Sequence, residues 1–245
     1  MTKVKGPPSA SVDGPAVIQD CTTVSLDLLG PFSLTADGVA VTLARGSQRL
    51  LAFLALRKVA DRRVVAGTLW RNGGDERANA NLRAAIWRLP DRGRRLVDAQ
   101  RGSLALHPAV ECDVRTLERR ALELFEGDSA PISVAGLAGL SQVLLPDWDD
   151  EWLVVEREWI RQLGLQALDV LADRLTAAGR IAQAVLAALL AVRADPLRES
   201  SQRLLIIAHE ANHNHGSAVS QYDQYRALLR EELGIEPSFP RPHRR

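Results

Sequence analysis

Residues 76–89 read ERANANLRAAIWRL, and the fold turns on what this segment does. At about 100° per residue, Ala78, Leu82, Ala85, Ile86 and Leu89 gather on one stripe, which predicts a helix with one face against a core. The opposite side presents Arg77, Ala80, Ala84, Trp87 and Arg88, with Asn81 and Arg83 at its margins. Small alanines at the centre of such a face let a helix sit deep in a DNA major groove, while flanking Arg and Asn can bond to phosphates and base edges. Taken alone, the pattern favours an ordinary solvated amphipathic helix. Its neighbours decide.

Upstream, VSLDLLGPFSLTADGVAVTL (24–43) alternates apolar and polar residues, broken at Gly30-Pro31 and Asp37-Gly38. It predicts three short antiparallel strands with a tight Asp-Gly turn. In GSQRLLAFLALRK (46–58), Leu50, Phe53, Leu54 and Arg57 fall at helical intervals, with Ser47 as the expected N-cap. A short helix around VVAGTLW (64–70) ends near Gly73-Gly74, and the segment quoted above follows, running from Glu76 to Leu89 and closed by Pro90. LVDAQRGSLALH (96–107) then reads as a hairpin turning at Arg101-Gly102. Strands, three helices and a two-stranded wing make a winged helix, and the third helix before a wing is the element that enters a groove. Arg45 and Arg49 enter the first helix, and Arg92, Arg94 and Arg95 form a basic cluster after the third helix, all phosphate-directed candidates; Arg101 caps the wing, where it can enter a minor groove or touch the backbone.

The second half carries no such strands. Helices are expected at 113–126, 133–143, 151–178, 180–194, 197–212 and 217–233. Gly179 and Gly216 each separate two of them, and the spacing approaches that of tetratricopeptide-type hairpins, which stack into scaffolds for protein partners. The expected fold is therefore mainly α with a small antiparallel β part: an OmpR-like winged helix-turn-helix at 24–109, then a tetratricopeptide-like all-helical domain at 110–237. A disordered leader (1–23) and a flexible tail (238–245) flank them.

Charge follows the same division. The net +1 of the chain conceals +7 in residues 24–107 and −9 in residues 108–236. A basic part suits a polyanion, and an acidic part avoids one. No apolar run approaches the roughly 20 residues that span a bilayer, and two cysteines, Cys21 and Cys112, make no disulfide or zinc framework. These features point to a cytoplasmic, nucleoid-associated protein with no membrane partner.

One motif pulls elsewhere. His209, Glu210 and His213 in HEANHNHG (209–216) spell H-E-x-x-H, which on an unbroken helix places two zinc ligands on one face beside a general base, with Glu231 or Glu232 available as a distal carboxylate. The alternative is three histidines, His215 included, meeting by chance at a helix end. No glycine-rich phosphate loop, nucleophile elbow or aspartate phosphoacceptor pocket competes.

The chain resembles transcriptional regulators of the Streptomyces antibiotic regulatory protein (SARP) type, in which an OmpR-like winged helix joins a bacterial transcriptional activator domain. On the DNA side the likeness rests on LLGPFSL, GSQRLLAFLAL, TLW and ANANLRAAIWRL. On the activator side it rests on LLPDWDDEWLVVERE, AVRADPLRESSQRLLIIAH and QYDQYRALLREELGIEPS. The resemblance covers about residues 24 to 239. It implies a non-enzymatic, sequence-specific DNA binder without a cofactor, which acts as a dimer on direct repeats and helps RNA polymerase holoenzyme start transcription. Arg71, Asn72, Asp75 and Glu76 in the loop RNGGDE are then candidate polymerase contacts. Pro90 departs from the family by cutting the third helix where relatives often continue. No sensor module follows Pro240 in this sequence, so regulation is expected from expression level, partners or the helical part. Relatives turn near His213, often with Gly there, and a helix stopping at that point separates His209 from His213; His213 and Asn214 tolerate the left-handed backbone such a turn needs. A helical scaffold with weakened DNA binding is the alternative function, and zinc hydrolysis through HEANH the remote one.

Overall fold

A computed structural model describes residues 23–93, 95–127 and 139–242. The leader, Arg94, most of the expected helix at 133–143 and the last three residues lie outside the described residues. The chain divides into two compact units, one comprising the residues to Asp27 with Phe32–Cys112, the other comprising Leu28–Pro31 with the residues from Asp113 onward.

In the first unit, strands β1 (Val24–Asp27), β2 (Ser33–Ala36) and β3 (Val39–Ala40) form the expected antiparallel meander. The turn is made by Asp37 and Gly38, with φ of 47° and 79°. Helix α1 (Arg45–Arg57) is apolar on most sides, and Leu50, Leu51, Phe53 and Leu54 are all buried, as befits the central element of a small core. Strand β4 (Val59–Asp61) leads into α2 (Arg62–Leu69), capped by Asp61, whose carboxylate accepts from the Arg63 amide at 2.7 Å. Helix α3 (Gly74–Trp87) follows a tight turn at Arg71–Gly73. The wing pairs β5 (Val97–Gln100) with β6 (Ser103–Leu106) across Arg101 and Gly102, at φ 46° and 92°.

Three features of this unit differ from the sequence expectation. Ser47 does not cap α1: it lies inside the helix, fully buried, and its hydroxyl donates to the Ala85 carbonyl of α3 at 2.8 Å. The wing gains a third strand, β4 on β6, because the end of α1 returns through Lys58 in a left-handed conformation. Strand β7 (Val110–Cys112) pairs in parallel with β1, giving sheets ordered β3-β2-β1-β7 and β4-β6-β5. Both additions are three residues long, too short to show a period.

The second unit contains α4 (Asp113–Glu126), α5 (Leu153–Ala177), α6 (Ile181–Ala194), α7 (Glu199–Ala211) and α8 (His215–Leu233). Ala184, Ala187, Ala188 and Ala191 give α6 a smooth buried face that packs with Leu165, Leu168, Leu171 and Leu175 of α5 and Leu205 and Ala208 of α7. Hairpin stacking of this kind is the tetratricopeptide-like arrangement. Gly164 lets the chain pass closest: a Cβ there would stand 2.2 Å from the Leu140 carbonyl oxygen.

Residues 28–31, expected in the winged helix, are held within this unit. The Asp113 carboxylate accepts from the amides of Leu28 and Leu29 at 2.9 and 2.7 Å, and Leu145 donates to the Leu28 carbonyl at 2.9 Å. Residues 238–242 also depart from the flexible tail expected there. Phe239 is buried, edge-on to Tyr222 at 5.6 Å and stacked on Tyr225 at 6.2 Å between ring centroids. Its aromatic area is worth more in that cluster than the freedom of a short terminal segment.

Candidate nucleic-acid interface

Helix α3 resolves into three parallel ridges, each following the i, i+4, i+7, i+11 path of a helix surface. Ala78, Leu82, Ala85 and Leu89 are buried and anchor the helix, while Ile86 of the expected stripe is only half-buried. Diametrically opposite run Glu76, Ala80, Arg83 and Trp87, all exposed, Trp87 to 62%. Between them on one flank run Arg77, Asn81 and Arg88, exposed, with Ala84 half-buried at the shoulder.

The azimuth of these ridges is set by the buried one. The Ala85 carbonyl belongs to the last turn of α3, where intrahelical partners run out. The Leu89 amide donates instead to Ile86 and the Arg88 amide to Ala84. Ser47 therefore supplies a donor to Ala85 that the helix does not. At the other end, Gly74 opens α3 with φ 68° and ψ 165°, a conformation that side chains strain to adopt.

The remaining candidates separate by exposure. Arg77, Asn81, Arg83, Arg88 and Arg101 are exposed. Arg101 stands at the tip of the wing turn, whose Gly102 carbonyl accepts from the Arg62 amide at 2.9 Å and so ties the wing to the start of α2. Arg45 is exposed and Arg49 half-buried on α1; these two, with Arg71 and Trp87, already interact with other protein groups. Arg63, exposed in the first turn of α2, escaped the sequence reading although a helix start bearing two arginines was the available signal. Asp75 turns away from the outer ridge and lines an open cleft of about 280 Å³ with Arg63, Ala66, Gly67, Ala78 and Asn79. Asn72 is exposed beside Arg71 in the tight turn.

The histidine motif does not assemble. Helix α7 ends at Ala211, and His213 sits in the turn at φ 55°, off the face that carries His209; His215 is the first residue of α8. Among the described residues no group of three His, Cys, Asp or Glu side chains is placed to hold a metal ion. His209 is instead partly buried, with its Nδ1 unpartnered, and burial lowers its pKa below the usual 6.5.

Polar order in the helical unit concentrates on Asp169, buried in α5. It accepts from Arg198 Nε at 3.0 Å, Ser200 Oγ at 2.7 Å and Ser201 Oγ at 2.6 Å, pinning the start of α7 to α5. Arg157 similarly donates to the carbonyls of Leu144, Leu145 and Trp148. Among the described residues, no helix is long and apolar enough to cross a membrane.

Comparison with known proteins agrees with this architecture. The chain is 26% identical over 253 residues to the regulatory protein AfsR of Streptomyces coelicolor, a match covering 91% of this chain and 24% of AfsR. It thus spans about a quarter of that relative. Among solved structures, Mycobacterium tuberculosis EmbR, determined in complex with a low affinity phosphopeptide, superposes with a TM-score of 0.64 at 19% identity, covering 88% of this chain and 62% of that one. That likeness establishes a shared fold, a winged helix followed by a helical domain. Residues 91–240 match the model of the bacterial transcriptional activator domain, so the chain belongs to that family.

Proposed function

We propose that this chain is a sequence-specific DNA-binding activator that docks α3 in the major groove of promoter repeats and brings RNA polymerase holoenzyme to the start site. The observation that carries the reading is the exposed double ridge of α3, where Arg77, Arg83 and Arg88 surround Ala80 and Asn81 on a unit of net charge +7 over residues 24–107. The alanines permit close approach, the arginines bond to phosphates or guanine edges, and Asn81 suits adenine. Arg101 extends the footprint from the wing, and Arg45 and Arg49 add charge near the backbone. Pro90 ends the helix early, so its contacts concentrate between residues 76 and 88.

Polymerase contact is assigned to the tight turn at Arg71 and Asn72, with Asp75 beside it. The helical unit, acidic and bearing exposed Val155 and Trp159 one turn apart on α5, is suited to a protein partner rather than to DNA. Binding as a homodimer on direct repeats would place two α3 helices on one face of the duplex.

The test is binding of the full chain to promoter duplexes across a salt series. Affinity should fall steeply and linearly in a double-logarithmic plot, as phosphate neutralisation releases counterions. Arg83→Ala should weaken promoter binding without lowering thermal stability. A promoter-wide screen that enriches no site overturns the reading.

A further inference from the structure

Glu76 lies on the outermost ridge of α3, in line with Ala80, Arg83 and Trp87, and it is exposed. A carboxylate in this position is unfavourable for indiscriminate DNA binding, because the nearest charges on a duplex are phosphates. Asp75 and Glu76 are both in the first turn, where the helix dipole favours carboxylates, but Asp75 faces the cleft lined by Arg63 while Glu76 stands on the outer ridge. Glu76 is therefore the acidic group that a docked α3 would carry into the groove.

Resting on the DNA-binding reading above, we infer that Glu76 is a specificity residue that selects a cytosine. An ionised carboxylate only accepts hydrogen bonds. In the major groove, cytosine presents its N4 amino group as a donor; adenine sets an acceptor, N7, beside its amino donor; guanine and thymine present acceptors or a methyl group. Cytosine alone offers Glu76 a donor without an adjoining lone pair. Where no cytosine stands opposite, the carboxylate is desolvated without a partner, and the wrong sequence is penalised more than the right one is rewarded. This separates Glu76 from the turn at Arg71 and Asn72, with which it would otherwise be grouped as a polymerase contact.

The test is binding-site selection from a randomised duplex pool with the full chain, comparing wild type with Glu76→Gln, Glu76→Ala and, as a control for charge, Glu111→Gln on β7. Wild type should enrich one C·G pair in each half-site, and replacing that pair should cost about tenfold in affinity. Glu76→Gln should move the preference at that position toward adenine, which a glutamine amide reads through N6 and N7. Glu76→Ala should lose the preference there and keep the other positions. Both should bind unrelated duplex more tightly than Glu111→Gln, which loses the same charge elsewhere. Base profiles of Glu76→Gln and Glu76→Ala identical to wild type overturn this inference alone. A wild-type selection that enriches no sequence overturns it together with the DNA-binding reading.

Discussion

Ser47 of α1 donates its hydroxyl to the backbone carbonyl of Ala85 in α3, 2.8 Å away in the core of the first unit. This buried hydrogen bond thus joins the apolar ridge of Ala78, Leu82, Ala85 and Leu89 in fixing the rotation of the helix whose outward ridges are proposed to meet DNA. Ser47→Ala leaves that carbonyl buried without a donor, at a cost of about 1–3 kcal/mol. Chemical denaturation should show that loss, with promoter affinity falling further than Arg-to-Ala changes at the periphery would produce. An unchanged unfolding midpoint would mean that α3 is positioned by its apolar ridge alone.

Arg101 tests the wing. Its replacement by alanine removes one exposed cation from a turn that the backbone holds without it, so folding should be unaffected. If the wing touches a phosphate, the slope of log affinity against log salt should fall by roughly 0.9. Affinity should decline to a similar degree on every sequence, in contrast to the base-dependent change expected at Glu76.

Asp169 tests the helical unit. Removing its carboxylate by Asp169→Ala strands Arg198 in a mostly buried site and leaves Ser200 and Ser201 without their acceptor. Loss of one partner of such a pair costs about 3–5 kcal/mol, enough to unfold a marginal domain. Calorimetry should register the lost or lowered transition. The double change Asp169→Leu with Arg198→Met should recover part of the stability, because no uncompensated charge then remains.

His209 makes the same unit sensitive to acid. Burial lowers its folded pKa below 6.5, so the unfolded chain takes up the proton first as pH falls. Stability from this residue is therefore full above about pH 6.5 and is lost as pH drops through the folded value. Urea midpoints measured from about pH 8 to 5 should fall in wild type, and the fall should be shallower in His209→Leu. Parallel curves would show that other groups govern the acid limb.

The aromatic seat of residue 239 offers a further check. Phe239→Ala empties the space against Tyr222 and Tyr225 and should cost about 3 kcal/mol. The Tyr225 hydroxyl, pushed up to about 12 by burial and then by the Glu199 carboxylate, should titrate at lower pH once the cluster is opened.

Periodicity alone settled much of this protein. Long helices with a 3.6-residue repeat declared themselves, and so did the Asp37-Gly38 and Arg101-Gly102 turns, where Asp37 and the two glycines tolerate the left-handed backbone required. The buried ridge of α3 was legible for the same reason, and with it the residues on the opposite side. Tertiary structure decided what depends on a partner distant in sequence: Ser47 seeking Ala85 rather than its own helix end, β7 laid parallel to β1, Leu28 and Leu29 claimed by Asp113, and Phe239 drawn into a tyrosine cluster. It also broke H-E-x-x-H, since the motif specifies a zinc site only if the helix continues, and the turn at His213 ends it. Local sequence records the conformations that a segment favours. Which donor finds which acceptor is fixed only when the rest of the chain has closed around both.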